Sequence, residues 1–394
     1  MRKKLKDVCN FYSGTGFPVK HQGEKAGELP FYKVGDIANN ATSGNVYLST
    51  CNNYISYEVA KEIKGTVIPE DVVVFAKIGE ALKLNRRAIT SKKCLIDNNA
   101  MGIGAKKEYL DSHFFYFFMK NLKMESLAES TTVPSVRKTK LEEIEIDIPS
   151  FEIQKNISKI LRKLENIIKD RQSQILKFDM LVKARFVEMF GTYPKNEKGW
   201  KVGKIRDLVS DVRYGSSRKA AEGNCGHYQY LRMNNITYSG ELDLSEVKTI
   251  DIPKDELEKC TVKRGDLLFN RTNSKELVGK TCVYNRDEQM VLAGFIVRVR
   301  MNDKALPEFV SAFMNTDFSK QMLLGMCKTA IGQANINAQE LQNIGIYIPP
   351  IKIQKEFIEF KAQIDKSKVV VPSKIKNTIF AIMLSVSFGQ ITSI

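Results

Sequence analysis

Residues 141–155 read LEEIEIDIPSFEIQK, and residues 341–355 read LQNIGIYIPPIKIQK. Eight of the fifteen positions coincide without a gap: Leu141/Leu341, Ile144/Ile344, Ile146/Ile346, Ile148/Ile348, Pro149/Pro349, Ile153/Ile353, Gln154/Gln354 and Lys155/Lys355. Alternating Ile ending at Pro has the period of a half-buried strand, and the residues beyond the Pro have helical spacing. A strand–Pro–helix junction therefore occurs twice, each time closing a segment of roughly 150 residues. A chain made of two copies of one unit is suited to a target that also presents one feature twice.

Working outward, the first unit spans residues 1–149, with strands expected at 30–37, 71–78 and 94–104, all rich in Val, Ile and Phe. A helix is expected from Asp111-Ser112 onward, carrying the aromatic run that follows. The second unit, 192–349, repeats the order: 228–236 echoes 31–37, 265–269 echoes 70–74, and 305–315 echoes 109–121. Between them, 150–191 has no Pro or Gly from Phe151 to Phe190. Ile153, Ile157, Ile160, Leu164, Ile167 and Ile168, then Ile175, Phe178, Leu181, Val182 and Met189, advance in the steps of a coiled-coil seam, imperfect at Arg171 and Gln174. About 38 helical residues would extend roughly 57 Å, a spacer ended by Gly191, Pro194 and Gly199. A matching helix should occupy 350–394, beginning with Ile353, Phe357, Phe360 and Ile364, but Pro372 interrupts it.

The formal net charge of +16 favours an anionic partner, nucleic acid first. Seven Cys, at 9, 51, 94, 225, 260, 282 and 327, are scattered and odd in number, which points to reduced thiols in the cytoplasm. The basic start lacks the apolar run of a signal peptide, and the apolar stretch 379–388 is too short to span a membrane.

Catalytic groups are hard to assemble from this sequence. His21, His113 and His227 sit in no HExxH pattern, and Cys225 with His227 is a weak metal hint. SKELVGKT, 274–281, resembles a phosphate loop whose first Gly is Ser, which removes backbone freedom needed around phosphates. No GxGxxG, Asn-Pro-Pro-Tyr/Phe or Pro-Asp occurs. The pattern is that of a reader.

Groups that read DNA are present. Arg pairs with guanine, Asn or Gln with adenine, while Lys, Ser and Thr add phosphate contacts. The first unit carries Lys77, Lys83, Asn85, Arg86 and Arg87, then Asn98 and Asn99. The second carries Tyr214, Ser216, Ser217 and Arg218; Arg232, Asn234 and Asn235; and Asn270, Arg271, Thr272 and Asn273. Before each junction comes a polar stretch: Ser135, Arg137 and Lys138 in one, Gln333, Asn335 and Asn337 in the other. Taken singly, each residue reads better as a solvated loop or a turn-forming Asn. Their recurrence at matched places with different residue types is what two readers of two sequences require. Lys155, Lys159, Arg162, Lys163, Lys169 and Arg171 on the spacer either track phosphate or form its wet face.

The duplicated junction, with FAKIGEALKLNRRAITSKKCLIDNNAMGIGA (75–105), FVEMFGTYPKN (186–196) and GDLLFNRTN (265–273), resembles the specificity subunit of type I restriction-modification systems over almost the whole chain. The resemblance implies an α+β protein with two target recognition domains, each followed by a long helix, the helices packing as an antiparallel coiled coil. It implies that each domain reads half of a split, asymmetric site in double-stranded DNA and that the helices set the gap. Two methyltransferase subunits and possibly two restriction subunits would dock, with Ile153, Ile157, Ile160, Leu164, Ile353, Phe357, Phe360 and Ile364 as the docking and spacer face. The chain itself would bind no cofactor or metal; S-adenosylmethionine, ATP and Mg2+ belong to the partners. Two competing readings are a protein-binding adaptor with incidental charge and an enzyme acting on nucleic acid.

Overall fold

The computed structural model describes residues 1–129, 133–330 and 333–368, the side chains of 328–330 and 333 excepted. The chain divides into two compact units, the first running from Met1 to Ser173 and the second beginning at Gln174. Both are α+β.

In the first unit β1 (Arg2–Lys4) pairs antiparallel with β9 (Glu145–Asp147), so the junction strand is closed by the N-terminus. The main sheet is antiparallel, in the order β2 (Cys9–Ser13), β8 (Ala100–Ala105), β5 (Val72–Ala76), β6 (Arg87–Ile89). The unbroken VVVFA of β5 is buried along its whole length, as a strand covered on both faces must be. A smaller sheet places β3 (Leu29–Tyr32) antiparallel to β4 (Tyr54–Ile55) and parallel to β7 (Leu95–Ile96). Against the main sheet lies the helix Ser112–Asn121, where Phe114, Phe115, Phe117 and Phe118 join Val73, Phe75 and Ile103 in one core. The Asp111 carboxylate accepts the Phe114 N–H at 2.9 Å and starts that helix, as expected.

The second unit repeats this plan. β10 (Lys201–Lys204) closes on β22 (Gly345–Ile348). The main sheet runs β11 (Val209–Tyr214), β19 (Ile296–Met301), β15 (Leu267–Asn270), β17 (Thr281–Val283), the same order of equivalent strands. In the smaller sheet β12 (Tyr228–Leu231) is antiparallel to β13 (Lys248–Ile250) and parallel to β18 (Met290–Leu292), which also holds β14 (Thr261–Val262). A third small sheet joins β16 (Thr272–Asn273), β21 (Gln333–Asn335) and β20 (Lys328–Ala330). The helix Pro307–Met314 takes the place of the aromatic helix.

Two strand expectations are corrected. The stretch 30–37 stops as a strand at Tyr32, and a helix starts at Val34 because Asp36 accepts the Lys33 N–H at 2.8 Å. The stretch 94–104 is two strands, cut by a turn in which Asp97 Oδ1 accepts the Asn99 N–H at 2.9 Å.

The central helix is continuous from Phe151 to Phe190, 40 residues, and Gly191 follows at φ +81°, a conformation that favours glycine. The face it packs against its own unit shares only Ile157 and half-buried Leu164 with the expected docking and spacer residues. In the first unit Gln154, Ser158 and Leu161 are buried and Ile157 packs on the core, whereas Ile153, Ile160 and Ile167 are 50%, 52% and 49% exposed. Leu164 is half-buried. The reason is local: spacing of four and three from Gln154 selects the face below Pro149, and Ile153 starts a different face. The heptad-spaced Ile153, Ile160 and Ile167 remain on the surface.

In the second unit the helix Ile351–Ser367 packs on the end of the central helix. Phe357 is fully buried, its ring 5.3 Å from Phe186 and 5.6 Å from Phe190. Arg185 lies 5.6 Å above the Phe360 ring, and Lys368 meets Asp179 at 2.7 Å. As one residue number rises the other falls, so the two helices are antiparallel. Ile353 packs on this core, while Phe360 and Ile364 are half-buried. The expected interruption at Pro372 lies outside the described residues.

Candidate nucleic-acid interface

The ends of β5 and β15 carry the same backbone construction. In the first unit the Lys77 N–H donates to the Asn99 carbonyl and the Val136 N–H donates to the Lys77 carbonyl, both at 2.9 Å. In the second the Arg271 N–H donates to the Phe295 carbonyl and the Ile336 N–H donates to the Arg271 carbonyl, again both at 2.9 Å. Lys77 and Arg271 therefore occupy one slot, each between the turn that precedes the long central strand and the polar stretch before the junction. The same bonds equate Ser135 with Asn335, Arg137 with Asn337, and Asn99 with Phe295. Bridges Ile78–Ser135 and Glu129–Ser135 stand where β16, β21 and β20 stand in the second unit.

The second unit's slot is the more elaborate. The Arg271 guanidinium lies 5.1 Å from the centre of the Tyr214 ring and donates through Nη1 to the Gly294 carbonyl at 3.1 Å. Tyr214, at the end of β11 and 45% exposed, is pinned by its hydroxyl, which accepts the Ala338 N–H at 3.1 Å. Thr272 is buried and pairs with exposed Asn335 across β16 and β21. Asn270 is fully buried and, in the amide orientation that satisfies both groups, donates to the Thr272 carbonyl at 2.9 Å and accepts from Asn273 Nδ2 at 2.8 Å. Asn273 also accepts the Ser274 N–H at 2.9 Å. Asn337 caps a short helix by accepting the Gln339 and Glu340 N–H groups, both at 2.9 Å. Gln333 lies in β21; its side chain is outside the described residues. Thus Tyr214, Arg271, Asn335 and their supports, drawn from three sequence segments, form one cluster.

In the first unit Lys77, Asn98, Asn99, Ser135, Arg137 and Lys138 are gathered in the same way. Asn98 and Asn99 are exposed at the turn. Arg137 pairs with Glu129 at 2.9 Å, and Lys138 lies 5.7 Å from the Phe11 ring and 3.4 Å from Glu142.

Other candidates have internal roles. Asn85, at φ +53°, accepts from Arg87 Nη2 at 2.8 Å and from the Met124 N–H at 3.2 Å, and donates to the Lys120 carbonyl at 3.2 Å. Arg87 is 3% exposed, and burial pushes its guanidinium down to about 10. Both point inward because β6 enters the core. Lys83 is exposed and pairs with Glu80 at 2.8 Å, and Arg86 is half-buried. Ser216 is buried and accepts the Arg218 N–H at 3.2 Å; Arg218 holds Glu256 through Nε at 3.1 Å and Nη2 at 2.6 Å, while Ser217 is exposed. Asn235 builds the turn after β12 by accepting the Arg232 N–H at 2.8 Å and donating to the Asp243 and Glu246 carbonyls at 2.8 and 3.1 Å. Asn234 on that turn is exposed. Lys155, Lys159, Arg162, Lys163, Lys169 and Arg171 are exposed along the central helix, Lys169 lying 3.5 Å from Asn45 Oδ1.

Sequence reasoning missed Lys280, whose ammonium donates to the Met233 carbonyl at 2.7 Å and whose proton affinity is lowered by burial. It also missed the function of the repeated Gln. Gln154 accepts the Asp111 N–H at 2.8 Å and donates to the Tyr109 and Pro149 carbonyls, both at 3.0 Å. Gln354 accepts the Leu306 N–H at 2.8 Å and donates to the Lys304 and Pro349 carbonyls at 3.1 and 2.8 Å. Both are fully buried. The signal was available, since Gln is identical in the two copies at a position where a helix face must be apolar.

Among the described residues no group of three or more His, Cys, Asp or Glu is arranged to hold a metal, and no helix is long and apolar enough to cross a membrane. The seven thiols are unbridged.

The fold and the doubled slot define a class: a duplicated α+β protein that presents two differently equipped polar clusters on one scaffold. Residues 1–177 and 197–380 match the type I restriction modification DNA specificity domain. The chain belongs to that family and is the non-catalytic DNA-sequence recognition subunit of a type I restriction-modification complex. It is 22% identical over 365 residues to the Type I restriction enzyme EcoKI specificity subunit of Escherichia coli (strain K12), covering 87% of this chain and 77% of that protein. It is 23% identical over 367 residues to the StySPI specificity subunit of Salmonella potsdam, with the same coverage of 87% and 77%. The crystal structure of the S subunit from M. genitalium shares the fold, with a TM-score of 0.54 at 11% identity over 100% of this chain and 96% of that one. Such subunits act with DNA and with methyltransferase and restriction subunits, and this one is of that kind.

Proposed function

We propose that each unit reads one half of a bipartite, asymmetric DNA site, and that Lys77 and Arg271 are the central contacts of the two half-sites. The observation that supports this is the identical backbone slot holding Lys in one unit and Arg in the other. Around it Ser135 faces Asn335 in equivalence, and Arg137 faces Asn337. A common scaffold with exchanged donors recognises a common shape with different sequences. Asn98 and Asn234 are exposed groups able to reach DNA, half-buried Arg86 is assigned the same role, and Lys83, Lys138, Arg218 and Arg232 add positive charge at their rims. Asn85, Ser216, Asn270, Asn273 and Asn337 then act as supports.

The recognition domains are assigned to 1–149 and 192–349, with spacers at 150–191 and 350–394. The exposed Ile153 and Ile160 and the half-buried Leu164 and Ile364 offer docking surface to methyltransferase subunits, two per chain because the junction is doubled. Restriction subunits, up to two, would join them in the cytoplasm. S-adenosylmethionine, ATP and Mg2+ are assigned to the partners.

The test is exchange of residues 1–149 for the same unit of a relative, followed by binding to a library of split sites across a salt series. One half-site should change while the other stays. Change at both would refute the modular reading, and salt-dependent binding indifferent to sequence would leave only phosphate contact. A chain that recruits proteins yet shows no sequence preference would support the adaptor reading.

A further inference from the structure

The two Gln clasps have the same three bonds, the same spacing and the same complete burial. Each joins the first turn of a helix to one carbonyl and one N–H of a separate loop, which leads into the helix packed on the main sheet, and to the carbonyl of the junction Pro. Loop positions 109 and 111 in the first unit correspond to 304 and 306 in the second. One amide thus crosslinks three chain segments: the junction Pro, the loop and the spacer helix. Its oxygen accepts one bond and both its amide hydrogens are donated, so no rotamer change is possible without breaking all three. An apolar side chain of equal size would fill the space but would permit the helix to tilt.

We infer that Gln154 and Gln354 are positioning residues that fix the angle at which each spacer helix leaves its recognition unit, and so restrict the complex to one gap length. The inference rests on the bipartite reading above. The leverage is large. Over the 40 residues of the central helix, about 60 Å at 1.5 Å per residue, a tilt of about 5° moves the far end by about 5 Å. At 3.4 Å per base pair that is about 1.5 base pairs. Core packing by Ile157 and Leu161, or by Phe357, sets how firmly the helix adheres, but apolar contacts have no direction. The three bonds supply the direction.

The experiment uses the full chain in complex with its methyltransferase and compares wild type with Gln154→Leu, Gln354→Leu and the double variant. Hydrogen exchange first reports the clasp: the Asp111 amide should exchange about tenfold faster in Gln154→Leu, and the Leu306 amide in Gln354→Leu. Binding is then measured on DNA carrying both half-sites at gaps from two base pairs short to two base pairs long. Wild type should prefer one gap by at least about tenfold, and the double variant should bind neighbouring gaps within about threefold, with both half-sites unchanged. Opened clasps with undiminished gap preference would overturn the inference and leave the Gln a stability element. A wild type indifferent to gap would instead refute the reading beneath it. Should Gln354→Leu fail to fold, Gln354→Met, which keeps the chain length, carries the same measurement.

Discussion

Phe357→Ala should unfasten the second helix from its unit. Phe357 is fully buried, its ring 5.3 Å from Phe186 and 5.6 Å from Phe190; Phe186 stacks on Phe309 at 5.8 Å and Phe190 meets Phe309 edge-on at 4.9 Å. Truncation empties the centre of this aromatic group, and the rigid central helix limits collapse around the void. Phe→Ala in such a core costs about 3–5 kcal/mol. For a unit of nearly 200 residues this lowers the midpoint by about 6–20 °C. Calorimetry of the intact chain would show the second unit's transition moving down while the first unit's stays. Phe360→Ala is the control: its ring is half-buried and carries the Arg185 guanidinium at 5.6 Å, a contact worth about 0.5–1 kcal/mol. A shift below about 2 °C for Phe357→Ala, or equal shifts for both, would refute the reasoning, because the helix would then be held elsewhere.

Asn85→Ala should destabilise the first unit by about 2–4 kcal/mol, since it orphans groups of Arg87, Met124 and Lys120 and leaves a side chain at φ +53°; urea unfolding measures it, and a loss under about 1 kcal/mol contradicts it. Lys320 has a buried ammonium 4.8 Å from the Tyr238 ring, and burial, with the charges of Lys183 and Lys280, pushes it down to about 8. Its folded value lies below its unfolded value, so between about pH 8 and 10 the unfolded chain binds more protons and stability should rise with pH. Lys320→Met should abolish that rise and stabilise the second unit at pH 7 by up to about 3 kcal/mol; identical pH profiles for both proteins would contradict this. Deleting one heptad within 155–185 should change the tolerated gap by a few base pairs or abolish assembly, read by binding to gap-length libraries. Unchanged spacing would show that the central helix is no ruler.

What was legible in the sequence was periodic or repeated. The Ile-x-Ile-x-Ile-Pro junction announced itself twice, and a 40-residue run without Pro or Gly left little choice but one helix. The turn cutting 94–104 was harder, because Asp97 bonds locally to Asn99 inside an otherwise apolar run. The face by which the central helix packs on its own unit was not legible, because Ile153, Ile160 and Ile167 keep a perfect heptad on the surface while the buried face is carried by Gln154, Ser158 and Leu161. Hydropathy ranks Gln and Ser below Ile, and only the fold supplies the partners that let them enter the core. The polar clusters were legible as composition, not as roles. Arg86 and Arg87 are neighbours, yet Arg87 is buried and bonded to Asn85 while Arg86 is only half-buried, a division decided by how β6 enters the sheet.

The equivalence of Lys77 with Arg271 is missed by one residue in the linear sequence, where 265–269 echoes 70–74 at an offset of 195, against 194 in the sheet and 200 at the junction. Backbone pairing reveals it because hydrogen bonds follow sheet register, which tolerates insertions in the turns between strands.

The most direct measurement is single-molecule methylome sequencing of a strain expressing this chain with its methyltransferase, beside strains carrying Lys77→Ala and Arg271→Ala. The account predicts a bipartite N6-methyladenine motif with one fixed gap, absent when the gene is deleted. Lys77→Ala should relax or weaken only one half-site and Arg271→Ala only the other. A motif without two halves, or two variants that alter the same half, would contradict the central claim.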